Sequence, residues 1–424
     1  MRLDRSSSSA PRAAFALLVV AAALLSGCSS KTLVQPVAKP LSRLVLSVHV
    51  DTLAVGGSRQ FVATAYDTSN AVTGVTVAWR STDPAVCSVA STGLVTAVGE
   101  GATLIVASAG GKSDSARVYV KSAQTGWYEQ VSGTTRNLDA VYFLPDGHTG
   151  FAVGEVGTLL ATSDAGGTWG WRTSNASTEL TSVWFVSTTT GWAVGKAGAF
   201  VRSTNGGSTW SSLTSLATTA NLECIRFADA SHGWIVGGGG GVIGGFVART
   251  RDGGASWTTQ TLGGSVLYGV SFADTLNGWA VGAGVIYGTH DGGASWYLVQ
   301  PSITAQTLHG VARVSNAQAW AVGQLGTIAT SGATTDSLAW VLSSAGSNYS
   351  LNAVHMVDAT TGWIAGANLS TGAILATTNG GATWTPQVSA STTALRGVYF
   401  ADGLRGWAVG VGGRIVHTST AGAP

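Results

Sequence analysis

The segment Gly-Trp-Ala-Val-Gly and its near copies recur about every 40 residues through the C-terminal part of the chain. The aromatic anchors of this repeat are Phe151, Trp192, Trp234, Trp279, Trp320, Trp363 and Trp407. A second element, Ser/Thr-x-Asp/Asn-x-Gly-x-Thr/Ser-Trp, runs in step with it and ends at Trp169, Trp210, Trp257, Trp296 and Trp384. Each period holds short apolar runs separated by Gly-rich turns. Repeats of this length and chemistry predict the blades of a β-propeller.

The two ends of the repeat region predict how many blades form and how the ring closes. The seventh repeat stops at Gly422, before the tryptophan of its outer strand. A matching segment, Gly126-Trp127-Tyr128-Glu129-Gln130, stands one period before the first complete repeat. We therefore expect residues 125–424 to form a seven-bladed propeller in which the N-terminal strand completes the last blade and removes the open edges of the array.

A smaller all-β unit precedes the propeller. Short alternating strands and turns over residues 41–121 predict a β-sandwich of about eighty residues. The motifs Trp79-Arg80-Ser81-Thr82-Asp83-Pro84, Gly93-Leu94-Val95-Thr96-Ala97 and Gly101-Ala102-Thr103 resemble the group 2 bacterial immunoglobulin-like domain. The resemblance implies a spacer or an adhesive module at a bacterial surface. Trp79 is expected to be the core aromatic of this sandwich.

The N-terminus predicts export. Arginines precede a short apolar run that is followed by Leu25-Ser26-Gly27-Cys28, which resembles the bacterial lipobox. The prediction is a signal peptide over residues 1–27, lipid attachment at Cys28, a tether over residues 28–40, and a lipoprotein of the outer membrane or cell surface. An ordinary signal with a chance cysteine is the alternative. The chain without residues 1–27 has equal numbers of basic and acidic residues, which argues against a nucleic-acid partner. Cys87 and Cys224 are expected to be buried free thiols.

The repeated Asp/Asn turns resemble the Asp box of sialidases, sortilin-type receptors and xyloglucanases. We interpret them as structural, because the acidic or amide side chain can cap its own turn and Asn replaces Asp in two boxes. The complete pattern over residues 126–424 resembles the propeller family of photosystem II assembly factors. That resemblance implies a non-catalytic chaperone that binds an assembly partner through an arginine-rich patch. The arginines here are scattered through the repeats without an evident cluster, which favours another task in the cell envelope.

Positions that break the repeat are better candidates for a site than positions that keep it. The residue after the first leucine of each inner strand, or its equivalent, differs in every blade, and a small residue follows it. These residues are Asp139, Thr181, Glu223, Tyr268, His309, Asn352 and Arg396. We expect them to form a ligand-binding ring at one mouth of the central channel; a water-filled lining without a ligand is the alternative. His309 has no second His or Cys at metal-ligand spacing, so neither a metal nor a cofactor is expected.

Three function classes remain. The leading hypothesis is a lipid-anchored, monomeric, non-catalytic protein whose propeller binds an envelope protein or a glycan. A surface adhesin in which the immunoglobulin-like domain binds is the second. A glycan-processing hydrolase is the third and needs two placed carboxylates. The candidate carboxylates are Asp139, Glu155, Glu179, Glu223 and Asp336. No catalytic residue is assigned, because the Arg-Ile-Pro motif that sialidases carry is absent.

Overall fold

The computed structural model describes residues 40–70, 72, 74–99, 101–121, 125–299, 303–316, 318–331 and 340–423. The signal segment, Cys28, most of the tether and Asp336 lie outside these ranges, so the predictions made for them remain predictions. Within the described ranges, no helix is long and apolar enough to cross a membrane.

The N-terminal unit is a small sandwich of nine strands. Its strands are β1 (Leu41–Leu46), β2 (Val50–Ala54), β3 (Ser58–Gln60), β4 (Ala63–Asp67), β5 (Ala78–Ser81), β6 (Cys87–Val89), β7 (Leu94–Ala97), β8 (Gly101–Ala109) and β9 (Lys112–Lys121). They form three sheets, β1-β4, β2-β9-β8-β5 and β3-β7-β6, and β2 runs parallel to β9. Phe61, Cys87 and Ile105 are fully buried in its core, and Trp79 packs against that core.

The C-terminal unit consists of seven four-stranded sheets. A single strand, β10 (Tyr128–Gln130), precedes the first of them. Blades 1 to 3 are β11 (Leu138–Phe143), β12 (Gly150–Gly154), β13 (Thr158–Thr162), β14 (Gly170–Trp171); β15 (Leu180–Phe185), β16 (Gly191–Gly195), β17 (Phe200–Ser203), β18 (Ser211–Ser212); and β19 (Asn221–Phe227), β20 (Gly233–Gly239), β21 (Val242–Thr250), β22 (Thr258–Leu262).

Blades 4 to 6 repeat the same plan, and blade 7 borrows a strand. Blades 4 to 6 are β23 (Leu267–Phe272), β24 (Gly278–Gly282), β25 (Val285–Thr289), β26 (Tyr297–Leu298); β27 (Leu308–Ser315), β28 (Gln318–Gly323), β29 (Thr327–Ser331), β30 (Trp340–Ser344); and β31 (Tyr349–Met356), β32 (Gly362–Asn368), β33 (Thr371–Thr377), β34 (Thr385–Gln387). Blade 7 contains β35 (Leu395–Phe400), β36 (Gly406–Gly410) and β37 (Ile415–Thr418).

The ring closes as the sequence predicts. β10 is the fourth strand of blade 7 and pairs antiparallel with β37, Tyr128 opposite His417. The backbone N–H of Gly126 donates to the carbonyl of Ala423 over 2.6 Å, which ties the two ends together. The fold class is therefore confirmed: an immunoglobulin-like sandwich followed by a seven-bladed propeller closed by its N-terminal strand.

The repeated tryptophans lie between blades. Trp234 stacks on Phe272 of the next blade with ring centroids 3.5 Å apart, and Trp363 stacks on Phe400 in the same way. The Asp-box side chains cap their own turns, as predicted. The Asp252 carboxylate accepts from the Ser256 backbone N–H over 2.9 Å, and the Asn205 amide oxygen accepts the equivalent bond from Thr209 over 3.0 Å. Both repeated columns thus hold the scaffold together.

Candidate functional site

The seven predicted ring residues share one backbone feature. In each inner strand the pairing with the second strand shifts by one residue at this position, which is a β-bulge. A bulge leaves one residue out of the ladder and redirects its side chain. The bulged residues are Asp139, Thr181, Glu223, Tyr268, His309, Asn352 and Arg396. All seven line one central cavity of about 380 Å³.

The small residue that follows each bulge has a steric reason. The seven inner strands converge on the channel, so their backbones come close. A Cβ on Gly397 would lie 2.9 Å from the carbonyl oxygen of Asp139, and a Cβ on Gly310 would lie 3.2 Å from the Cα of Ala353. Small side chains let neighbouring strands approach, and the bulged residues are left to line the channel.

One side of the ring carries a half-buried cluster of charges. The Arg396 guanidinium donates to the Asp139 carboxylate over 2.6 Å and lies 3.7 Å from the Glu179 carboxylate. Burial raises the pKa of Asp139 to about 6; Glu179 adds to the rise and Arg396 opposes it. Glu179, which the ring hypothesis omitted, precedes the inner strand of blade 2. It could be recognised only once the blades were arranged in space.

A second ion pair lies in the same ring. The Lys196 ammonium donates to the Glu223 carboxylate over 2.6 Å. Lys196 stands in the 3-10 turn Lys196–Gly198, which joins β16 to β17 and faces the inner strand of blade 3. The sequence did offer a signal for this residue, because Lys196 is the only lysine after residue 125. The ring together with Lys196 and Glu179 therefore holds two cations and three carboxylates, all in contact with a partner of opposite charge.

The other members of the ring are neutral. Thr181 and Asn352 each donate a hydrogen bond to a backbone carbonyl in the next blade, over 2.6 Å and 2.7 Å. The Nδ1 atom of His309 lies 3.2 Å from the amide oxygen of Asn352. Burial lowers the pKa of His309, so its imidazole is neutral near pH 7. Tyr268 packs edge-on against the His309 ring at 5.7 Å.

A second layer lines the same cavity three residues further along the inner strands. Its large members are Tyr142, Trp184, Arg226, His355 and Tyr399. The ring centroids of Tyr142 and Tyr399 are 4.9 Å apart, and those of His355 and Tyr399 are 4.8 Å apart. The Arg226 guanidinium lies 5.0 Å from the centre of the Trp184 ring. Sequence reasoning missed this layer, although its column also varies between blades.

Arg226 is the cation of this aromatic layer. Its guanidinium donates to the carbonyl of Ile225 over 2.7 Å and to the Ser182 hydroxyl over 3.3 Å. In the part of the chain that the structure describes, no carboxylate forms an ion pair with it. Burial raises the pKa of Tyr142 to about 12 and lowers the pKa of His355 to about 4, so both neighbours are neutral at pH 7. This end of the channel favours an anionic or aromatic group.

The channel thus offers a polar ring followed by an aromatic layer with one cation. No group of His, Cys, Asp and Glu suited to a metal ion is found within the described ranges. Cys224, in the small-residue column, and Cys87 are both buried and unbonded to each other, as expected. What the channel provides chemically is a row of hydrogen-bond donors, acceptors and paired charges around a narrow axis.

Two family models match parts of the chain. The model of the photosynthesis system II assembly factor YCF48 matches residues 119–218, and that of the group 2 bacterial Ig-like domain matches residues 46–120. Both resemblances are confirmed. The matched regions are the sandwich and the first two blades. No curated protein matches the chain.

Solved structures share the propeller fold. YCF48 bound to D1 peptide is 23% identical with a TM-score of 0.57 and covers 70% of this chain and 96% of its own. YCF48 from Cyanidioschyzon merolae is 21% identical with a TM-score of 0.57, over 69% and 98%. The GH74 xyloglucanase from Xanthomonas campestris is 14% identical with a TM-score of 0.54 and covers 70% of this chain but 54% of its own. At these identities the likeness concerns the fold alone.

Proposed function

We propose that this protein is a non-catalytic binding protein of the cell envelope, anchored through Cys28, whose propeller channel takes an extended polar segment of a partner protein. The observation that carries the proposal is the set of seven bulged residues. Each differs from its equivalents in the other blades, and all of them line one cavity. A scaffold alone would not need seven different side chains at equivalent positions.

The chemistry of the channel fits a peptide. An extended chain presents N–H and C=O groups at regular intervals, and the ring offers acceptors such as Asp139 and donors such as Arg396. The cavity of about 380 Å³ suits a few residues of a single chain rather than a folded domain. The similar propeller YCF48 is known in a complex with D1 peptide. That complex supports peptide binding as the mode for this propeller.

Peptide selection on the immobilised protein tests the proposal. Peptides selected from a random library should bind the wild type, and the variant Glu223→Ala/Arg396→Ala should bind them at least roughly tenfold more weakly, because truncating one partner of a paired charge leaves the other unpaired. Arg405→Ala is the matched control, since Arg405 pairs with Asp402 in the turn between β35 and β36 and does not line the channel cavity. Equal affinity of the ring variant and the wild type for the selected peptides would contradict the channel hypothesis. Binding of the peptides by the isolated immunoglobulin-like domain would favour the alternative hypothesis, a surface adhesin in which that domain binds.

Hydrolysis of a glycan is the second candidate, and one observation favours it. Asp139, with its pKa raised to about 6, lies beside Glu179 in an open channel, as a general acid could. Both carboxylates contact the same Arg396 guanidinium, however, at 2.6 Å and 3.7 Å, whereas glycosidases place a sugar between their two carboxyls. Incubation with an oligosaccharide panel decides the point. Product formation that Asp139→Asn abolishes would establish the hydrolase.

A further inference from the structure

An exposed tryptophan stands outside both the scaffold and the channel. Trp171 ends β14 and is 49% exposed. It pairs with Leu160 in blade 1, and the same register position is Ser212 in blade 2 and Thr259 in blade 3. The fold therefore accepts a small polar residue here. A large aromatic ring held out to solvent at such a position needs another reason.

Trp171 lies on a shallow groove where the two ends of the propeller meet. The groove has a volume of about 590 Å³ and lies between blades 7 and 1. The groove is lined by residues 129–136, by Trp171, and by Gly412, Gly413 and Arg414. Hydroxyls of Ser and Thr residues and exposed backbone groups make up much of the lining, and Val131 is the main aliphatic contribution. The lining is polar, with one aromatic platform and one carboxylate, Glu129.

Two arginines bring positive charge to the groove. The Arg136 guanidinium lies 5.6 Å from the centre of the Trp171 ring and forms no ion pair with any described carboxylate. Arg414 also lines the groove, where it pairs with Glu129 and donates to the Thr392 hydroxyl over 3.2 Å. Both arginines line the same groove, although they are far apart in the sequence.

Arg136 also breaks the repeat. It stands two residues before the first buried leucine of blade 1, and no other blade has a charged residue there. The equivalents are Thr178, Ala220, Ser265, Gln306, Tyr349 and Thr393. Trp171 and Arg136 are thus independent exceptions in two different columns, and they meet in one groove. Two separate departures that converge in space indicate a site.

We propose that this groove binds an acidic oligosaccharide. The C–H face of a pyranose ring carries partial positive charge and suits the negative face of the exposed indole. A uronate carboxylate on the same sugar would pair with Arg136, which forms no ion pair among the residues that the structure describes. The Ser and Thr hydroxyls and backbone groups of residues 131–136 would accept and donate to sugar hydroxyls. An acidic peptide is less suited, because the groove has little apolar lining to hold side chains.

Calorimetric titration with an oligogalacturonate tests this proposal. We expect saturable binding that weakens as salt is added, and weaker binding of a neutral oligogalactoside of equal length. Trp171→Ser, which copies blade 2, should weaken oligogalacturonate binding by at least roughly tenfold. Arg136→Thr, which copies Thr178, should weaken it as strongly and remove most of the preference for the acidic sugar. Both variants should keep the melting temperature of the wild type.

Two controls separate this groove from other sites. Arg172→Ala removes a charge next to Trp171, but Arg172 does not line the groove, so binding should persist. The channel variant Glu223→Ala/Arg396→Ala should also bind the sugar normally, so failure of the channel proposal leaves this one standing. Unchanged sugar binding by Trp171→Ser, no binding by the wild type, or preferential binding of an oligoglutamate would each overturn the proposal.

Discussion

The aromatic anchors of the Gly-Trp-Ala-Val-Gly repeat form a tryptophan ladder, and the seven bulged channel residues form a bulge ring. Each set takes one position from every blade, yet the two sets differ in every other respect. The ladder repeats nearly the same residue and buries it between blades, as Trp192 and Trp407 show. The ring repeats the same backbone bulge and changes the side chain seven times. The comparison indicates that positions with the same residue in every blade stabilise the fold. Positions with a constant backbone conformation but variable side chains are the candidates for ligand binding.

Breaking the ladder should have the largest effect on stability. Trp407 is fully buried, stacks on Phe143 at 3.5 Å and donates to the Ala165 carbonyl over 3.1 Å. We expect Trp407→Ala to lower the free energy of unfolding by about 3 to 5 kcal/mol, since it leaves a large cavity between blades. Urea denaturation followed by tryptophan fluorescence measures it. A loss below about 1 kcal/mol would contradict the scaffold role.

Acid should weaken the closure of the ring. His417 is buried opposite Tyr128, and its Nδ1 lies 2.9 Å from the Gly406 carbonyl oxygen. Burial lowers its pKa to about 4, below the unfolded value of 6.5. Its contribution is therefore complete above pH 6.5 and is lost as the pH falls through 4, by about 2 to 3 kcal/mol.

The variant His417→Ala isolates this contribution, because Ala161 occupies the equivalent position in blade 1. The variant should be less stable at pH 7 but lose less stability between pH 6.5 and 4. Unfolding free energies at several pH values provide the comparison. Parallel curves for the wild type and the variant would show that His417 is not the titrating group. His355, whose pKa is also lowered to about 4, acts in the same window and is unchanged in both proteins.

The ring should show the opposite pH dependence and a smaller effect. Because the pKa of Asp139 is raised from 3.8 to about 6, its contribution is complete below pH 3.8 and is lost as the pH rises through 6. We expect a loss of about 1 to 2 kcal/mol across this window, reduced by the partly exposed Arg396. Asp139→Asn should abolish it. The difference between the two stability curves gives the result, and a difference that grows with acidity would contradict the assignment.

The sequence predicted the parts of the fold that local chemistry determines. Blade number, the role of Trp127 in closure and the Asp-box turns all follow from short segments that repeat. The ring residues were also predicted as a column, because their irregularity is visible without a structure. Their ability to bind a ligand is still a prediction.

What the sequence could not show depends on contacts between distant segments. Glu179 joins Asp139 and Arg396 only because blades 7, 1 and 2 meet at the channel. Arg136 and Arg414 are far apart in the sequence, and closure of the ring places both on one groove. The position of a residue within its repeat can be read from the neighbouring sequence. Its contact partner in the next blade is known only from the folded structure.

The triple variant Asp139→Thr/Glu223→Thr/Arg396→Thr tests most directly whether the variable ring positions bind the ligand while the constant repeat positions stabilise the fold. The variant puts threonine at the ring position of three blades, and blade 2 already has threonine there, at Thr181. We expect the unfolding free energy to change by less than about 2 kcal/mol, while affinity for peptides selected on the wild type falls at least roughly a hundredfold. A variant that fails to fold, or that folds and still binds those peptides as tightly as the wild type, would contradict the account.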